Sequence, residues 1–219
     1  MAGKYIPGLN YAPIPIYDEI SWYITGEGIH MLTTAPSGSG KTMYLNYLMG
    51  MLLKNQHRVY VVDAKNSSFG MLARHIGVQV AANTEEIIQL LTALVCEMEE
   101  RYSKYFAVTG ADVDANFATL ELEGHFLIFD EVLSALSAAG KKEKAEIERL
   151  LEQLALKGRA AGFGLVLSAQ KLNATDLPKA ITEQCQTRII LGKVVSDETF
   201  HQSTGLYKKD LAHAYRGGV

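Results

Sequence analysis

The residues of this chain whose types and spacing can do chemistry fall into three groups. They are a Lys-Thr pair closing a glycine-rich turn, two adjacent carboxylates closing an apolar run, and an arginine and a glutamine flanking a second apolar run. The first group is APSGSGKT, residues 35–42, which nearly matches the phosphate-loop pattern G-x-x-x-x-G-K-[ST]. Gly38 and Gly40 admit the backbone angles such a loop needs. Pro36, Ser37, Gly38, Ser39 and Gly40 are expected to form the nucleotide-binding loop, the N–H groups after the proline turning in succession toward an anion at a helix N-terminus. Lys41 is expected to bind the β/γ-phosphates of ATP, and Thr42 to place its hydroxyl on Mg²⁺. Ala35 stands where the pattern has glycine. That position mainly begins the turn, so a slight change of approach is expected and not a loss of binding.

The second group is HFLIFDE, residues 125–131, which puts Asp130 and Glu131 at the end of a buried strand, about 90 residues after the phosphate loop. Asp130 can hold the Mg²⁺ shell and Glu131 can polarise an attacking water as general base. The plainer alternative is a strand-end helix cap. The third group is LALKGRAAGFGLVLSAQ, residues 154–170. Gln170 closes a strand and can sense a γ-phosphate; otherwise it is a surface-turn residue. Arg159 reads as part of a glycine-flanked turn. It either reaches a neighbouring subunit's nucleotide or satisfies the carbonyl end of the preceding helix.

Alternating strands and helices must position these groups. Apolar runs predict strands over 28–34, 58–63, 125–130, 163–169 and 187–191. Helical spacing predicts helices over 41–54, 84–106 and 143–157, the last ending at Gly158. Continuously apolar strands alternating with helices indicate an α/β fold, a mainly parallel sheet covered on both faces. Residues 1–27, interrupted by Pro7, Pro13 and Pro15, read as an extended lead-in packed on the edge of a single domain over 28–219.

Composition narrows the class. The 219 residues are 48% hydrophobic and 21% charged, so disordered and fibrous architectures are excluded. No apolar run approaches the ~18 residues of a bilayer span, and the N-terminus lacks a secretory h-region. A cytoplasmic protein is expected, with Cys96 and Cys185 as buried thiols. The net charge of −3 hides an asymmetry: residues 141–219 carry 13 Lys/Arg against 9 Asp/Glu, so the C-terminal part is where a polyanion would be met.

APSGSGKT, VVDAK (61–65), FLIFDE, GRAAG (158–162), SAQ (168–170) and TRIILGKV (187–194) together resemble the FtsK/SpoIIIE–HerA superfamily of DNA-translocating ATPases, most of all TcpA-like conjugation coupling ATPases of Gram-positive mobile elements. The resemblance covers roughly residues 25–205. It implies a RecA-like P-loop core, DNA-stimulated ATP hydrolysis, a homo-oligomeric ring (commonly a hexamer) and movement along double-stranded DNA without sequence specificity. It carries Lys41, Thr42, Asp130, Glu131 and Gln170 into nucleotide roles and Arg159 into that of a trans-acting finger. Asp63 and Lys65 match a DPK-like segment with Ala64 for proline, and Arg188 matches the arginine of a TRI segment; the roles of these three stay open. Relaxases or membrane-anchored transfer proteins are implied partners, with any membrane link through a partner or a missing segment. The sequence departs from the family in SAQK for SAQR, in having no DNA-reading domain or membrane anchor, and in an abrupt end at AYRGGV that suggests a shortened C-terminus.

Residues 65–70, 135–144 and 170–176 are candidate DNA loops, with Lys141, Lys142, Lys144 and Lys171 as phosphate contacts or as solvated lysines balanced by Glu143, Glu146 and Glu148. The main alternative to a translocase is a nucleotide-dependent adaptor that recruits a relaxase or replication protein. A small-molecule kinase is disfavoured, because no Arg-rich lid is visible.

Overall fold

β-branched and aromatic runs bounded by turn residues form the strands, as their pleated side chains pack on both faces. The computed structural model describes residues 6–107, 112, 114–173, 176–192 and 196–205. Strands β1 (Ile14–Tyr17) and β2 (Ile20–Trp22) pair as an antiparallel hairpin. The main sheet consists of β3 (Met31–Thr34), β4 (Arg58–Asp63), β5 (Gln79–Ala81), β6 (His125–Asp130), β7 (Phe163–Ala169) and β8 (Thr187–Ile190). Its order is β5-β4-β6-β7-β3-β8 and every pair is parallel. The helices are α1 (Lys41–Lys54), α2 (Ser68–His75), α3 (Thr84–Arg101), α4 (Val132–Ala138), α5 (Lys141–Ala161), α6 (Lys179–Gln184) and α7 (Asp197–Thr204).

The sheet separates two apolar layers. Along β6, Phe126 and Ile128 join a cluster with Leu45 and Leu48 of α1, while Leu127 and Phe129 join one with Leu91 of α3 and Leu151 of α5. Both faces are therefore covered, which is why the strand reads as continuously apolar. The hairpin belongs to the α1 layer. Ile14 and Trp22 are buried there, and the Trp22 indole N–H donates to Gly28 O at 2.7 Å. Among the described residues no helix is long and apolar enough to cross a membrane.

The expected element boundaries shift in three places. The first core strand begins at Met31, after a 3₁₀ turn over Glu27–Ile29. α3 ends at Arg101 and continues as a π-helical turn over Tyr102–Phe106. α5 runs through Gly158 to Ala161, because the residue that stops it is Gly162, left-handed at φ +82°. Gly158 is glycine for packing: a Cβ there would lie 2.3 Å from Phe163 O. Of the two thiols expected to be buried, Cys185 is, whereas Cys96 is exposed on α3.

Two buried histidines make the fold pH-sensitive. His57 Nδ1 accepts from the Gly124 N–H at 3.0 Å, and its Nε2 donates to Asn10 O at 2.9 Å, a pattern that only the neutral ring satisfies. His30 Nδ1 accepts from the Leu165 N–H at 3.2 Å. Burial pushes both imidazoles down to about 4. A lowered folded-state value means that the unfolded chain binds more protons between about pH 6.5 and 4, so this stability is present above pH 6.5 and lost on acidification. Each histidine is expected to cost about 2 kcal/mol between pH 7 and 5. Urea unfolding at the two pH values checks this, and His57→Gln should make the pH dependence shallower.

Candidate functional site

The site is built where β3, β6 and β7 end. β3 runs on into the phosphate loop: Ala35 is buried and its N–H donates to Ala169 O at 2.9 Å. Residue 35 has no left-handed backbone angle, so alanine serves where the pattern has glycine. Gly38 (φ +76°) and Gly40 (φ +89°) are left-handed, and a side chain at either would be strained. Gly40 caps α1 without a side-chain hydrogen bond, so the first-turn N–H groups of that helix face the loop without intrahelical acceptors. Their partial positive charge suits an anion.

Lys41, the first residue of α1, reaches across the tip of β7. Its Nζ lies 2.9 Å from Asp130 Oδ1 and forms an ion-paired hydrogen bond with Glu131 Oε1. Glu131 itself is left-handed (φ 53°, ψ 50°), a conformation that costs a non-glycine residue about 1–2 kcal/mol and breaks the strand direction between β6 and α4. Gln170 Nε2 donates to the same Glu131 oxygen at 2.7 Å. Behind them, the Ser168 hydroxyl donates to Asp130 Oδ1 at 2.7 Å and accepts from the Glu131 N–H at 3.3 Å. Burial disfavours ionisation of the Glu131 carboxyl. Hydrogen bonds from Lys41 and Gln170, with the charges of Lys41 and Lys65, outweigh it and hold the group below the usual carboxylate range. Glu131 is thus an ionised acceptor at neutral pH.

Pro36, Ser37, Gly38, Gly40, Lys41, Thr42, Asp130, Glu131 and Gln170 line one cleft of about 300 Å³, joined by Met43, Lys65 and Ser67. Ser39, expected in the phosphate loop's contacts, does not line this cleft: its hydroxyl is buried without a hydrogen-bond partner among the described residues, and its side chain packs toward Gly192. A hydroxyl at Thr42 and a carboxylate at Asp130 are hard oxygen donors of the kind Mg²⁺ takes. The residues present therefore fit a magnesium nucleotide.

The fold takes Arg159 away from its own cleft. It lies in the last helical turn of α5, not in a turn, because α5 continues to Ala161. Its side chain is 59% exposed and sits 3.6 Å from Glu27 Oε1, at the edge where the strands begin. Arg188 donates to the carbonyls of Cys185 at 3.1 Å and Thr182 at 2.8 Å, away from the cleft. Residues 135–144, read as a loop, are mostly helix: α4 ends at Ala138 and α5 starts at Lys141. Part of the 170–176 loop, residues 174–175, lies outside the described residues, as do 193–195 and the chain end from 206.

Sequence reasoning did not single out Ser168. Its signal was one polar residue near the end of an apolar strand, FGLVLSA. Lys65, read as the head of a candidate DNA loop over 65–70, lines the cleft instead, with Nζ 3.9 Å from Glu131 Oε2, and residues 68–70 of that loop open α2.

Residues 15–123 match the model of the FtsK/SpoIIIE family. The FtsK domain-containing protein YdcQ of Bacillus subtilis is 29% identical over 202 residues, covering 92% of this chain and 41% of that protein. The DNA translocase FtsK of Treponema pallidum is 25% identical over 204 residues, covering 81% of this chain and 25% of that protein. The chain thus spans less than half of these relatives. Among solved structures, the pCW3 conjugation coupling protein TcpA in its monomer form with ATPγS superposes with a TM-score of 0.75 at 22% identity, covering 92% of this chain and 59% of that one. The cytoplasmic domain of the type VII secretion ATPase EccC of Thermomonospora curvata gives 0.70 at 22% identity, covering 98% and 27%. These two likenesses establish the fold, that of P-loop ATPases.

Ser168→Ala tests the bracing of the acidic pair. It removes one hydrogen bond to Asp130 and leaves the buried Glu131 N–H without its acceptor. A loss of about 1–3 kcal/mol is expected in urea unfolding, together with weaker binding of a fluorescent ATP analogue in the presence of Mg²⁺.

Proposed function

We propose that this chain, which carries an FtsK/SpoIIIE-family domain over residues 15–123, is the ATP-hydrolysing core of a double-stranded DNA translocase serving conjugative or mobile-element transfer. The observation that carries the reading is the convergence of Lys41, Asp130, Glu131 and Gln170 on one cleft above a glycine-turned phosphate loop. On this reading residues 28–219 belong to the motor domain and residues 1–27 to its lead-in. Relatives named as DNA translocases and a neighbour named as a conjugation coupling protein support the choice of substrate and process.

Lys41 and the N–H groups of residues 38–42 bind the β- and γ-phosphates. Thr42 and Asp130 would hold Mg²⁺, which would supply neutralisation of phosphate charge. Glu131 accepts the proton of the attacking water, and Gln170 holds that water and the carboxylate in line. Arg159 lies at the opposite edge of the sheet from its own cleft, so it serves the nucleotide of a neighbouring copy. Its pair with Glu27 is exposed and breaks at little cost. Such a device requires a homo-oligomeric ring, which we take as a hexamer. Duplex DNA would be gripped by backbone contacts alone. A relaxase or membrane-anchored transfer proteins are the partners, met on the cytoplasmic side.

ATPase assays with and without long duplex DNA test this. DNA should stimulate turnover, and Lys41→Ala should abolish it. Glu131→Gln should lower kcat by about 10²–10⁴ while retaining nucleotide. Arg159→Ala mixed with Lys41→Ala should recover activity, because mixed rings rebuild some complete interfaces. Absence of DNA stimulation in every assembly state would sink the translocase and leave the adaptor reading.

A further inference from the structure

The Asp63–Lys65 segment has no role in the mechanism above, yet it is the most firmly braced turn beside the cleft. Asp63 is buried at the tip of β4. Its carboxylate accepts from the N–H groups of Lys65 (3.2 Å), Ser67 (2.7 Å) and Gly70 (3.0 Å) and from the Ser67 hydroxyl (2.8 Å). Residue 70 has to be glycine for this, because a Cβ there would stand 2.5 Å from Asp63 Oδ2. The turn therefore launches Lys65 from a point fixed to the sheet. Its side chain is half exposed, and its Nζ comes to 3.9 Å from Glu131 Oε2. The other oxygen, Oε1, is the one taken by Lys41 and Gln170.

The two lysines do not have equal freedom. A phosphate held by Lys41 competes with Glu131 for the same ammonium, and Lys41 cannot give both its full charge. Lys65 approaches the carboxylate from another strand and has no such obligation. We infer that Lys65 is a positioning residue for Glu131, holding Oε2 so that the carboxylate keeps its aim while Lys41 is engaged with phosphate. The inference rests on Glu131 being the general base. Asp63 acts one step further back, by fixing the turn.

Steady-state hydrolysis of Mg·ATP by the full chain with duplex DNA tests the role. Lys65→Met should lower kcat about tenfold or more, leave KM for ATP within about threefold and leave the melting temperature unchanged. Lys65→Arg should restore most of the rate. Lys65 is overturned as a positioning residue by kcat within about twofold of wild type, by a raised KM at constant kcat, which marks an ordinary phosphate ligand, or by a loss that arginine does not repair. Glu131→Gln in parallel separates the two ideas. If it hydrolyses ATP at the wild-type rate, the base assignment falls. If it is inactive and Lys65→Met is normal, only the role of Lys65 falls.

Discussion

The structure depends on one buried electrostatic arrangement: the Lys41 ammonium shared between Asp130 and Glu131. Taking three charges out of water is costly, and attraction offsets that cost only where the remaining lone pairs are also satisfied. Here they are. Ser168 serves Asp130, Gln170 serves Glu131, and Lys65 stands near its second oxygen. Sheet order makes the arrangement possible. β7 lies between β3 and β6, so the phosphate loop and the acidic pair stand about 10 Å apart across one intervening strand. A lysine side chain crosses that gap, and the tip of β7 fills it with Ser168 and Gln170.

The opposite edge of the sheet is held by a second polar cluster with a different purpose. Arg101, buried at the end of α3, donates to the carbonyls of Glu123 at 2.8 Å and Ala161 at 2.9 Å, meets His125 Nε2 at 2.8 Å and stacks on Phe163. Glu123, beside His125 and Arg101, is held well below the usual carboxylate range against the effect of burial. The cluster ties the end of α5 to the start of β6 and β7. It therefore sets where Arg159, two residues before Ala161, leaves the surface. One end of the sheet carries the glycine-turned loop and the acidic pair; the other fixes an exposed arginine.

Much of this was legible in the chain. The glycines at 38 and 40, the Lys-Thr pair and the carboxylates at 130 and 131 are local signals, because a phosphate loop and a strand end are made by consecutive residues. Helix α5 was misjudged at its end: Gly158 looks like a stop, whereas the stop is Gly162. A glycine that makes room for Phe163 O and one that adopts a left-handed angle look the same in a sequence. Short elements such as β5 and α4 escaped because three to seven residues carry too little periodicity.

By itself the sequence determined the alternating α/β pattern, the phosphate loop and the candidate acids, since each is written in neighbouring residues. Tertiary structure alone decided which of them meet. It placed Ser168 behind both carboxylates, brought Lys65 to Glu131 from a strand more than sixty residues earlier, and sent Arg159 to the far edge. Those outcomes follow from strand order and from where α5 ends. Both are set by packing between distant segments, which no local spacing encodes.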